Sequence, residues 1–142
     1  GRARRLSLTS LQVPAFTVQA AEGRFVLEGE AAVTWDVEAW TDPLPPPAPT
    51  ASWLLLGRDT GRPWRQALAV DATTGPDGGT LRLSGSLDPL AVVVGERLSD
   101  VYLEVTAGSS VRRQRLNGPT GVELGGGQLY STAHGNVSLR RR

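Results

Sequence analysis

The chain holds a single imidazole, His134, so any Ser-His-Asp hydrolase or other histidine-based acid–base chemistry would have to be built on it. It stands in "STAHGNVS", between Ala133 and Gly135, where no flanking residue marks a serine as its partner, and it reads as an exposed turn residue. Zinc requires several His or Cys ligands, and the chain has no cysteine. It has no lysine either, which removes the phosphate-reaching lysine of a Walker loop and any lysine nucleophile, and no Gly-X-Ser-X-Gly elbow occurs. Asp71, Asp77, Asp88 and Asp100 could converge on calcium from separate loops, but they form no EF-hand series, and loop solvation by Asx turns is the plainer account. Paired carboxylates can hydrolyse glycosides only at a separation that sequence does not place. The Asp-X-Asp metal site of a sugar-nucleotide enzyme is absent. The expectation is a chain that is not an enzyme by itself, with no catalytic residue, cofactor or metal.

Residue types suited to binding are more prominent. Aromatic faces stack on sugar rings and anchor interfaces, and there are four tryptophans, Trp35, Trp40, Trp53 and Trp64. Trp35 and Trp40 flank the start of a proline-rich stretch, which makes them, of the four, the candidates for an exposed pair, with Trp64 as a third contact; packing in the core or over the crossover is the plainer account. "VRRQRL" at 111–116 puts Arg113 and Arg115 on one face of a strand and Arg112 on the other. These guanidiniums could take an anionic polymer such as a phosphate-rich glycan through bidentate contacts. A solvated strand that discourages edge pairing is the plainer account.

The elements that must position these residues read as strands. No stretch combines apolar spacing of three and four with good helix formers over three turns. "LSLTSLQV" carries Leu6, Leu8, Leu11 and Val13, and "AFTVQA" places Phe16 and Val18 on one face. "GRFVLEGEAAVTW" sets Phe25 and Leu27 together before Gly29, which is expected to interrupt the strand at a bulge. "SWLLLGRD" reads as a central strand buried on both faces, "WRQALAV" as the returning strand, and "TTGPDGG" as the clearest turn. Leu81, Leu83 and Leu87 are expected to face inward while Arg82 and Ser84 face water. "DVYLEVTAGSSVRRQRLNG" reads as a hairpin turning at "AGSS", and "GVELGGGQLY" and "NVSLR" as further short strands. Residues 36–51 contain five prolines and read as a stiff extended crossover, centred at about 41–50, because proline cannot donate to a ladder. Some eight to ten short strands with Gly/Pro turns and little or no helix imply an all-β, antiparallel β-sandwich over 1–142, with a closed barrel as the second choice.

Composition narrows the setting. The 15 basic residues, all arginine, nearly balance 14 acidic ones, so a net charge of +1 gives no long-range field for nucleic acid or anionic membranes. The apolar runs "LAVVV" and "WLLL" are far shorter than the roughly 20 residues that cross a bilayer, so no membrane insertion is expected. Absence of Lys, Cys and Met beside abundant Gly, Ala, Val, Leu and Pro is the usage of a high-GC bacterial genome, an actinobacterial one for instance. The "GRARR" start without an initiator Met suggests a piece excised from a larger enzyme.

The second part of the chain resembles a known family. The succession "SWLLLGRDTGRPWRQALAV", "GGTLRLSGSLDPL", "GERLSDVYLEVTAGSSVRRQRLNG" and "YSTAHGNVSLRRR", covering about 52–142, is similar to the C-terminal accessory region of bacterial family 2 glycosyltransferases. These include enzymes that decorate wall teichoic acid or related cell-surface polymers. Asp100-Val101-Tyr102 matches the family's W-D-V-Y strand, with Ser99 in place of the tryptophan. Arg115-Leu116-Asn117-Gly118 approximates its continuation, and Gly135-Asn136-Val137-Ser138-Leu139 matches the terminal G-N-L-S-L. The resemblance implies an immunoglobulin-like sandwich appended to a catalytic domain that carries all the catalytic residues. It also implies a role in oligomerisation, a trimer in the teichoic acid case, and in positioning a polymeric acceptor. The implied location is cytoplasmic, membrane-peripheral through the parent enzyme. A carbohydrate-binding module stacking glycan on exposed tryptophans is the second functional expectation.

Overall fold

Glu22 and Gly23 both hold positive φ, 52° and 75°. That pair of conformations makes the two-residue turn whose twist matches a hairpin. It joins β1 (Leu6–Ala21) to β2 (Arg24–Val37). The computed structural model describes residues 6–38, 48–92 and 96–141. Trp40 and most of the proline-rich stretch therefore lie outside the described residues. Eight more strands follow: β3 (Thr50–Gly57), β4 (Pro63–Gly75), β5 (Gly78–Leu87), β6 (Leu98–Ala107), β7 (Ser110–Arg115), β8 (Gly121–Leu124), β9 (Gly127–Ser131) and β10 (Val137–Arg141).

Local chemistry sets the register. β1 slips against β2 between Leu8 and Ser10 and again between Gln12 and Ala15. The first slip lets Leu8 and Leu11, which strict alternation would send to opposite faces, both be buried. The second falls at Val13-Pro14, where an unpaired position spares proline its missing N–H. Gly29 was expected to break β2, yet β2 runs through it, paired with Phe16 on one side and Leu83 on the other. The irregularity sits on β1 instead. A Cβ at Gly29 would meet the Ala15 carbonyl at 2.9 Å and the Phe16 Cβ at 3.0 Å, so glycine is there for the close approach of β1.

All the pairings are antiparallel, and the order β1-β2-β5-β4-β3-β6-β10-β9-β8 forms one sheet, with β7 also on β6. β4 carries the sheet from one layer to the other: residues 63–68 pair with β3 and residues 69–75 with β5. The expected sandwich and barrel thus meet in a single curled, nearly closed sheet. Closure comes where β1 lies against β7 and β8. There the Leu8 N–H donates to Ser110 Oγ at 2.8 Å, and Arg112 Nη1 donates to the Leu8 carbonyl at 3.2 Å. Side chains take over from a backbone ladder at that seam.

The core lies between the layers. Phe25, Trp53, Leu55, Leu81, Leu87, Leu103, Leu129 and Leu139 are fully buried in it. β3 is central, and its Trp53-Leu54-Leu55 run is buried on both faces, as "SWLLLGRD" suggested. The inward set Leu81, Leu83 and Leu87 and the outward Arg82 and Ser84 are as expected from alternation.

Candidate functional site

Strand alternation sends Asp100, Tyr102 and Glu104 of β6 to the face opposite the core residues Val101, Leu103 and Val105. β6 is flanked on one side by β3 and beyond it β4, and on the other by β7 and β10 placed end to end. The Gly108 turn, with φ 61°, fixes the β6–β7 register so that Arg113 stands opposite Glu104 and Arg115 opposite Tyr102. Each carboxylate is then gripped from both sides.

Glu104 accepts two hydrogen bonds from Arg65, from Nε at 2.8 Å and Nη2 at 3.2 Å, and one from Arg113 Nε at 2.8 Å. The Arg65 bonds, with those from Arg113, outweigh the cost of burial and hold Glu104 below the usual carboxylate range. The same pairing raises the Arg65 guanidinium. Asp100 accepts from Arg58 Nε and Nη2, both at 3.3 Å, and from Arg115 Nη2 at 3.0 Å. Ser138 of β10 joins this second knot, its Oγ accepting from Arg58 Nη2 at 2.9 Å and Arg115 Nη2 at 3.0 Å. Arg115 also donates to the Val137 carbonyl at 3.1 Å and lies over the Tyr102 ring, 5.5 Å from its centroid. Arg140 lies over Tyr130 in the same way, at 5.0 Å. Five guanidiniums thus surround two carboxylates and two phenol rings that Arg115 and Arg140 already cover, a surface with more positive than negative groups, which favours an anionic ligand.

The residues singled out in the sequence fare unequally. Arg113 and Arg115 share the outer face and Arg112 points the other way, as the alternation implied, but all three are engaged within the fold. Trp35 corrects the expectation of an exposed platform. It is 3% exposed, its indole N–H donates to the Pro76 carbonyl at 3.0 Å, and its backbone N–H to that of Asp77 at 3.0 Å. The β4–β5 turn folds over this part of β2 and covers the indole, which the sequence distance between the two conceals. Trp64 is half-buried against the core, and Trp53 is fully buried. His134 is exposed in the β9–β10 turn, where Gly135 takes φ 80°. Among the described residues no cluster of three or more His, Cys, Asp or Glu is placed to hold a metal ion.

Sequence reasoning missed Arg58, Arg65 and Glu104, and it read Asp100 and Ser138 only as motif residues, with Asp100 also a possible calcium ligand, not as partners in a network. The alternation Asp-X-Tyr-X-Glu on one arm of a predicted hairpin and Arg-X-Arg on the other was the available signal for Glu104 and Arg113. Arg58 and Arg65 lie across β3, and nothing local announces them.

No family model and no curated protein sequence matches the chain. Its fold is similar to that of S. aureus TarS, known from a crystal structure, with a TM-score of 0.53 and 19% identity. The similarity covers 94% of this chain and 24% of TarS, so the chain spans about a quarter of the length of that protein.

Proposed function

We propose that this chain is a non-catalytic accessory domain of a bacterial cell-surface polymer glycosyltransferase, where it serves oligomerisation, acceptor positioning or both. The observation that carries the reading is the fold match itself: nearly the whole chain aligns with one quarter of TarS, a wall teichoic acid glycosyltransferase. The short motifs around Asp100-Val101-Tyr102 and Gly135-Asn136-Val137-Ser138-Leu139 support the same relation from sequence. They also have structural work in this fold, since Asp100 and Ser138 are paired opposite each other and tied by Arg58 and Arg115. The outer face carries more guanidiniums than carboxylates, a charge balance that would favour a phosphate-bearing polymer. In the parent enzyme the domain would sit in the cytoplasm, peripheral to the membrane.

Size exclusion with light scattering tests the assembly role. A concentration-independent oligomer, three copies in the simplest case, is expected, and a strict monomer at high concentration would remove that role. Acceptor positioning is tested on the parent enzyme with and without this segment: its loss is expected to raise the KM for long polymeric acceptors far more than for short ones. Equal effects on both would remove it.

A further inference from the structure

The arginines around Asp100 and Glu104 are largely spent on those carboxylates, and Arg112 on a carbonyl. A second group is not. Arg97, just before β6, and Arg140, opposite Leu98 on β10, line an open cleft of about 350 Å³ with Leu98 between them. Neither guanidinium is ion-paired to a described residue. The acids nearest to Arg97 in sequence are occupied elsewhere. Glu96 accepts from the backbone N–H groups of Asp59 at 2.8 Å and Thr60 at 3.0 Å, and from the Thr60 hydroxyl. Asp100 is held between Arg58 and Arg115.

Both cleft arginines are held in place by contacts that leave donors over. Arg140 lies over the Tyr130 ring at 5.0 Å, which supports the guanidinium through its face and leaves its in-plane N–H groups free for a ligand. Arg97 is bound to its neighbour strand by the Arg141 N–H, which donates to the Arg97 carbonyl at 2.8 Å, and its Nε reaches the Arg141 carbonyl at 3.5 Å.

We propose that the cleft lined by Arg97 and Arg140 binds a phosphate-type oxyanion, with both guanidiniums donating to it and Leu98 touching the apolar part of the molecule that carries it. A tetrahedral phosphate presents acceptor oxygens in several directions and can satisfy two forks at once. A carboxylate can also take two guanidiniums, as Glu104 does with Arg65 and Arg113, but only through two oxygens in one plane. The inference stands apart from the proposed accessory role, because it is read on this chain alone.

The test is a titration of the 142-residue chain with inorganic phosphate, following arginine Nε–H signals by NMR. Saturable shifts at Arg97 and Arg140 are expected. Arg97→Ala and Arg140→Ala should each weaken binding by about tenfold or more, since each removes charged hydrogen bonds. Arg140→Lys should keep part of the affinity, and Arg24→Ala, at the β1–β2 turn, all of it. Because Arg140→Ala uncovers Tyr130, Arg97→Ala, which loses only a long contact to a carbonyl, keeps the test independent of folding. A soluble glycerol-phosphate oligomer that binds more tightly than phosphate identifies a phosphodiester polymer as the source; equal binding identifies a free phosphate ester. Absence of saturable shifts, or shifts unaffected by either alanine variant, would overturn the proposal.

Discussion

Arg65 reaches diagonally across β3 to grip Glu104 with two hydrogen bonds, 2.8 and 3.2 Å long, and Leu54 of β3 is fully buried although it faces away from the core. The clamp covers an apolar side chain on a sheet face that otherwise belongs to water. Glu104 is mostly buried while Arg65 and Arg113 remain about half exposed, so the carboxylate is the member that cannot be left unpaired.

Acid should therefore loosen this face first. Glu104 titrates lower in the folded chain than in the unfolded one, so its contribution is fully present above the ordinary carboxylate pKa of about 4.3. It is lost as pH falls through the depressed folded value. In urea titrations between pH 7 and pH 3, Glu104→Gln should cost about 1–3 kcal/mol at neutral pH and flatten the acid slope. An unchanged slope would mean that another carboxylate carries it.

Ser138 is fully buried between two guanidiniums and Asp100, to which its hydroxyl hydrogen-bonds at 3.4 Å. Ser138→Ala should destabilise by about 1 kcal/mol, and much less in an Asp100→Asn background, because the two belong to one network. Additive losses in thermal melts of the double variant would contradict that coupling.

Gly78 holds φ 151°, and a Cβ there would lie 2.2 Å from the Val33 carbonyl oxygen. Gly78→Ala should cost at least about 1–3 kcal/mol through backbone strain alone and loosen the β4–β5 turn that covers Trp35. Gly121→Ala, with open space around it, should stay within about 0.5 kcal/mol of the parent. Denaturant midpoints of the two variants give the comparison, and similar values would refute it.

Trp53 is buried with an indole N–H that has no acceptor among the described residues. Trp53→Phe should then cost little, under about 1.5 kcal/mol, since loss of the unsatisfied donor offsets part of the lost volume. Trp53→Ala should cost about 3–5 kcal/mol. Equal losses in chemical denaturation would show that the N–H is satisfied.

The all-β architecture, the central burial of β3, the inward Leu81, Leu83 and Leu87 and the hairpin turns were legible from the chain itself. Each depends on period-two alternation or on a turn residue whose backbone preference acts within a few positions. Leu139 and Val137 at the core and Arg113 beside Arg115 on one face followed from the same rule. The burial of Trp35 did not, because its cover is the Pro76–Asp77 turn, far along the chain. Nor did the Arg58–Asp100–Ser138 and Arg65–Glu104–Arg113 knots, which exist only once β3, β4, β6, β7 and β10 lie side by side. Alternation decides which way a side chain points, and strand order decides what it meets there; the second is a property of pairings between distant segments, which only the tertiary structure contains.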